Sequence, residues 1–169
     1  MKPVEQPRPK LPLPLTKLEI VLEVLTVPIV LFNFALLAVY SKSLPATVPT
    51  HFDLAGTPNG WSSAGTLWGL ATFGLFNYAA LTVVARFPHT FNYIWPITEQ
   101  NAPKQYVLAR KFLSILKMET SVLMFVALWN CVQVAIGAAK SADTTSLFSL
   151  VVMVLVTCLV YAFGAYWLR

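Results

Sequence analysis

The sequence predicts an all-α membrane protein of four transmembrane helices with both termini in the cytoplasm, and three observations carry that prediction. The first is composition. The chain has 169 residues, of which 57 % are hydrophobic and only 11 % charged, whereas soluble domains run at about 45–50 % apolar and about 25 % charged. So few charges cannot keep a protein surface wet. The second is length: four stretches reach the roughly 20 apolar residues needed to cross a hydrocarbon core of about 30 Å. The third is the placement of Lys and Arg. Ten of the 12 basic residues fall in the N-terminal tail, the second connection and the C-terminus, which an even number of spans puts on one side. Such an excess marks the cytoplasmic side. It also accounts for the net charge of +5 as a topogenic signal with an attraction to anionic lipid, and nucleic acid is not expected as a partner.

Residues 1–17 form a cytoplasmic tail with five prolines in the first 14 positions. Proline fixes φ and lacks an N–H, so no regular helix forms there, and the tail is expected to be an extended, solvated tether. The membrane domain covers 18–169. Its first span is 20–40, with Glu23 near the start and Pro28 as the expected kink. This run exceeds the 7–15 apolar residues of a cleaved signal and reads as a retained anchor. The other spans are 65–85, 120–139 and 146–168. Backbone polar groups in lipid must pair within their own segment, so runs this long are helices. Cys131 and Cys158 both lie in apolar runs and read as small packing residues. Asn33, Asn77, Asn130 and Gln133 are neutral amides within spans and read as helix-to-helix glue. Glu23 is the only acid well inside a span, and no acid cluster is expected.

The external loop, 41–64, reads SKSLPATVPTHFDLAGTPNGWSSA. Pro45 and Pro49 push the residues before them into extended conformations. Thr57-Pro58-Asn59-Gly60 has the composition of a β-turn, and Trp61 and Trp68 suit a membrane interface. The loop is therefore expected to be ordered. His51 and Asp53 are two apart and share a face of an extended segment. Imidazole beside carboxylate suggests a metal site, an acid–base pair or a pH switch. Too few further ligands are at hand for a metal, and no nucleophile is spaced for catalysis. What remains is hydrogen bonding that holds the loop together, or ligand recognition through His51, Phe52, Asp53, Gly56 and Asn59.

The cytoplasmic loop, 86–119, contains Asn101 followed by Pro103, a helix start with Asn101 as the cap. From there a helix is expected to continue into the third span. Asn101, Lys104, Arg110 and Lys111 are the candidate partner-binding residues, and Lys117 and Glu119 read as part of a solvated face.

The run Leu44 to Trp61, LPATVPTHFDLAGTPNGW, resembles the signature LP-x-x-(I/V)-P-x-H-F-x-x-x-G-x-x-(D/N)-x-W of a bacterial membrane family of unknown function. That domain is shared with the N-terminal part of SdpI-type immunity proteins. A second run, FNYIWPITEQNAPKQYVLARKFLSILKMET at 91–120, is similar to the family's second signature. The chain differs from the pattern at Asn59, where members commonly carry aspartate, and near Ala64, where a lysine is usual. The resemblance implies a four-helix protein of the bacterial inner membrane. It further implies a role related to resisting a secreted peptide and signalling to the cytoplasm. The function expected is thus a non-enzymatic sensor or immunity-type protein without cofactor, its loop meeting an external peptide. A rival expectation, from another class, is a small structural or accessory subunit of a larger membrane complex. Partners on either reading are the lipid bilayer and an external peptide, other membrane subunits or further copies of the chain.

Overall fold

The computed structural model describes residues 8–169, so the first seven residues of the tail, Lys2 included, lie outside the described residues. Four long helices follow in order: α1 (Lys17–Tyr40), α2 (Gly65–Val84), α3 (Ala102–Ala135) and α4 (Thr144–Trp167). All four are long and apolar enough to cross a membrane. Between α1 and α2 lies an antiparallel hairpin of β1 (Thr47–Phe52) and β2 (Pro58–Ser63). A single 3₁₀ turn (Pro88–Thr90) stands between α2 and α3.

α1 opens on a reciprocal cap. Thr16 Oγ1 accepts from the Glu19 amide, and Glu19 Oε2 accepts from the Thr16 amide at 2.7 Å; each satisfies a donor that the first helical turn leaves without a partner. The helix runs unbroken through Pro28. Its buried positions include Leu22, Thr26, Val30, Asn33 and Leu37, a stripe at helical spacing.

That stripe lies on α3, which is the hub: α1, α2 and α4 all pack against it. At 34 residues α3 is about 50 Å long, well beyond a hydrocarbon core. α2 approaches it through the small residues Ala71 and Gly74, the latter beside Met124, and Asn77 Nδ2 donates to Thr120 Oγ1 at 3.0 Å. Small residues with an interhelical amide bond are the usual means of close approach in lipid. α4 is carried by α3 and buries only Ala165. Its outer face is a continuous apolar surface that includes Phe148, Leu155, Leu159 and Phe163.

The apolar core lies at the hairpin end, where Leu36, Leu37, Leu67, Leu128 and Val132 surround the fully buried Val48 of β1. Cys131 belongs to this core, while Cys158 is exposed on α4.

Two expectations from sequence are corrected here. The hairpin does not reverse at Thr57–Gly60. The Gly56 amide donates to the Asp53 carbonyl at 2.9 Å, and Gly56 has φ +81°, so the turn is Asp53–Gly56 and Pro58 starts β2. A residue without an N–H is well suited to the first position of an edge strand. Nor does Asn101 cap α3 with its side chain. Its backbone is helical (φ −93°, ψ −19°), and its side chain points back, accepting from the Thr98 amide at 2.9 Å while Thr98 Oγ1 accepts from the Asn101 amide at 3.2 Å. The reciprocal box thus forms one turn earlier than the Asn-x-Pro spacing suggests.

Candidate functional site

The hairpin is fastened to the helices at its root and at its tip. At the root Val48 and Pro49 are buried, and Phe52 packs half-buried on the same core. At the tip the Gly56 carbonyl accepts from the Ala142 amide at 2.9 Å. A Cβ on Gly56 would run into the Ala142 carbonyl oxygen, so only glycine permits both the left-handed angle and this contact. The receiving turn between α3 and α4 is itself fixed: Asn130 Oδ1 accepts from the Asp143 amide, and Asp143 caps α4 through the Ser146 amide and hydroxyl. These Ser146 bonds hold the Asp143 carboxyl below its ordinary range.

Of the residues singled out in the loop, His51 and Asn59 come together, with His51 Nδ1 paired to Asn59 Oδ1 across the strands. Asp53 does not join them. Its Oδ1 accepts from the Thr57 amide at 2.8 Å and so serves the turn. Gly60 faces His51 across the sheet, and a Cβ there would lie 2.9 Å from His51 Cβ. The outward surface is formed by His51, Asp53 and Asn59 together with Leu54, 96 % exposed, and Trp61, 58 % exposed. Leu54 was not singled out from sequence. The register shifts around Thr50 and Asn59 twist the ribbon, as bulges do. Both strands keep one edge without a partner in this two-stranded sheet.

The opposite end of the molecule is polar and buried. Arg110 donates to Glu19 Oε2 at 3.1 Å and to the carbonyls of Leu13 and Pro14 at 2.8 and 2.7 Å. Its Nε lies 2.9 Å from Glu19 Oε1 but is not aligned for a hydrogen bond, so that contact is one of charge. One turn further along α1 and two along α3, Lys117 pairs with Glu23, which also accepts from the Tyr78 hydroxyl, and Lys117 donates to Thr82 Oγ1 at 2.9 Å. Arg110 and Lys117 are 7 % and 4 % exposed.

Three expectations change as a result. Arg110 is not a surface residue for a partner, Lys117 and Glu119 are not a solvated face, and residues 8–16 are not a solvated tether. The tail is a strap, since Arg8 also donates to the Phe91 carbonyl and lies over the Tyr93 ring. Burial raises the Tyr93 phenol, whose hydroxyl donates to the Pro88 carbonyl. Glu119 is buried between α3 and α4 and accepts from the Thr157 hydroxyl at 2.6 Å. Of the other candidate partner residues, Lys104 is exposed, Lys111 is half-buried and Asn101 is held by its turn. Among the described residues no three His, Cys, Asp or Glu side chains gather as a metal would require.

Residues 29–75, which span the latter part of α1, the hairpin and the first part of α2, match a domain of unknown function, DUF1648. No curated protein and no solved structure matches the chain. With the four apolar helices, this match fits a multi-pass membrane protein of unknown function.

Proposed function

We propose that this protein is a non-enzymatic sensor or immunity-type protein that meets an external peptide at the hairpin and passes the event to its cytoplasmic end. The supporting observation is the hairpin itself: a ribbon fixed to the bundle at root and tip that offers free strand edges and two outward apolar side chains, Leu54 and Trp61. An extended peptide adds to such an edge through main-chain hydrogen bonds, with neighbouring side chains supplying selectivity. On this reading the hairpin is outside and the strap and both termini are in the cytoplasm, an orientation that the positive-inside asymmetry of Lys and Arg supports. The compartment on this reading is the bacterial inner membrane. α3 touches both ends: β1 packs on it, and its Arg110 holds the strap. A tilt of α3 is therefore the simplest route between them.

A growth-protection assay tests this reading. A bacterial host expressing the chain is challenged with a panel of secreted antimicrobial peptides, and wild type is compared with the double variant His51→Ala, Asp53→Ala. Protection by wild type and its loss in the variant are expected. A variant that protects as well as wild type would remove the hairpin from the mechanism.

The outward face of α4 favours a second reading, an accessory subunit of a larger membrane complex. α4 buries a single residue and leaves its apolar length uncovered, a surface that suits another subunit as well as lipid. Native mass spectrometry after gentle extraction separates the two: stoichiometric foreign subunits favour this reading, and the chain alone or with its own copies favours the sensor.

A further inference from the structure

The strap end encloses a cavity of about 500 Å³, within the roughly 300–1,000 Å³ of small-molecule sites. It is distinct from the hairpin surface. Leu11, Pro12, Leu13 and Leu15 of the strap line one side, and the start of α1, the end of α2 and the stretch of α3 from Arg110 to Lys117 line the rest. Two carboxylates are present, and both are engaged. Glu19 takes the Thr16 amide and the Arg110 guanidinium; Glu23 takes the Tyr78 hydroxyl and Lys117.

The donors are not exhausted. An ammonium has three N–H groups, and Lys117 uses two, on Glu23 and Thr82. Arg110 is not among the spare donors, because its Nε faces Glu19 Oε1 at 2.9 Å and its other nitrogens hold Glu19 and the strap. Arg86 lines the cavity from an exposed position, and its guanidinium makes no hydrogen bond or ion pair among the described residues. The Ser114 hydroxyl donates to the Arg110 carbonyl and keeps its acceptor side. The spare donors on Lys117 and Arg86 suit a polyvalent acceptor carrying negative charge.

We propose that this cavity binds a phosphate group, with Arg86 and Lys117 as its cationic donors and the strap as its cover. Guanidinium and ammonium groups converging on a tetrahedral oxyanion give charge-assisted bonds of the stronger kind. The group has two sources of the same chemistry: a free phosphate compound from the aqueous phase, or the headgroup of an anionic phospholipid. The cavity lies beside the start of α1 and the end of α2, and basic pockets between helices near a membrane surface accept lipid headgroups.

The test uses the full chain in phosphatidylcholine nanodiscs. Inorganic phosphate is titrated in by calorimetry, and in parallel the chain is extracted from mixed phosphatidylcholine and phosphatidylglycerol bilayers for native mass spectrometry. Saturable phosphate binding identifies the aqueous source; retained phosphatidylglycerol without it identifies the lipid. Either is expected to weaken about tenfold in Arg86→Gln, while Lys42→Gln at the hairpin end leaves it unchanged. Arg86 is exposed, so its exchange leaves folding intact, and a thermal melt verifies this. The proposal is overturned if neither ligand binds, if Arg86→Gln binds as well as wild type, or if Lys42→Gln loses as much.

Discussion

Gly56 concentrates two demands in one residue: φ of +81° and a backbone contact with Ala142 that leaves no room for a Cβ. An L-residue in the left-handed region costs roughly 1–2 kcal/mol from its own backbone, and here the hairpin tip must also lift from the α3–α4 turn. Gly56→Ala is therefore expected to lower thermal stability in detergent by at least that amount. Hydrogen exchange at the Ala142 amide should accelerate in step. A variant with unchanged exchange at Ala142 would show that the tip is not held as described. The sequence marked His51, Gly56 and Asn59 together but could not say which residues meet. The pairing of His51 with Asn59 depends on a register with two shifts in it. Such irregularities answer to docking on Val48 and Ala142, which no local pattern reveals.

The spans were legible as elements because lipid demands length and apolarity, and α1 to α4 satisfy both. β2 was not. PNGWSS has the composition of a turn, and only pairing with β1 makes it a strand. Helix starts lie between these cases: Asn101 lies one turn past the box that Thr98 closes. At the other end of α3 the start of α4 depends on an ionised cap. Ser146 lowers the Asp143 pKa from an ordinary 3.8. A depressed carboxylate contributes stability above its unfolded pKa and loses it as pH falls through the folded value. Melts of wild type and Asp143→Asn should therefore differ by a constant margin from pH 7 to pH 5. That margin should shrink below about 3.8, and a gap that persists at the acid end would assign the cap's contribution to something other than charge.

On the scale of the whole molecule, the ion pairs join residues 91 and 94 positions apart, and that separation hid them. Lys117 and Glu119 precede the apolar part of α3 and look solvated. They are buried because α3 is one unbroken helix on which Lys117 meets Glu23 of α1 and Thr82 of α2, while Glu119 meets Thr157 about midway along α4. The strap closes the arrangement, since proline leaves backbone carbonyls free of helical partners and Arg110 takes two of them in succession. Arg110 thus balances the buried Glu19 and also holds the strap, and a mutant cycle separates the two tasks. Either single exchange, Arg110→Met or Glu19→Met, removes one member of a buried pair and should cost about 3–5 kcal/mol. The double exchange leaves no unbalanced charge and should recover most of that loss. The strap should not recover, because its two charge-assisted bonds are absent in the double variant, each being worth roughly 1.5–3 kcal/mol. Trypsin cleavage after Lys10 reads the strap directly, and it should quicken at least about tenfold in the double variant even though its melt recovers above that of either single exchange. If cleavage tracked the melt instead, the strap would be held by the general packing of the bundle end and not by Arg110.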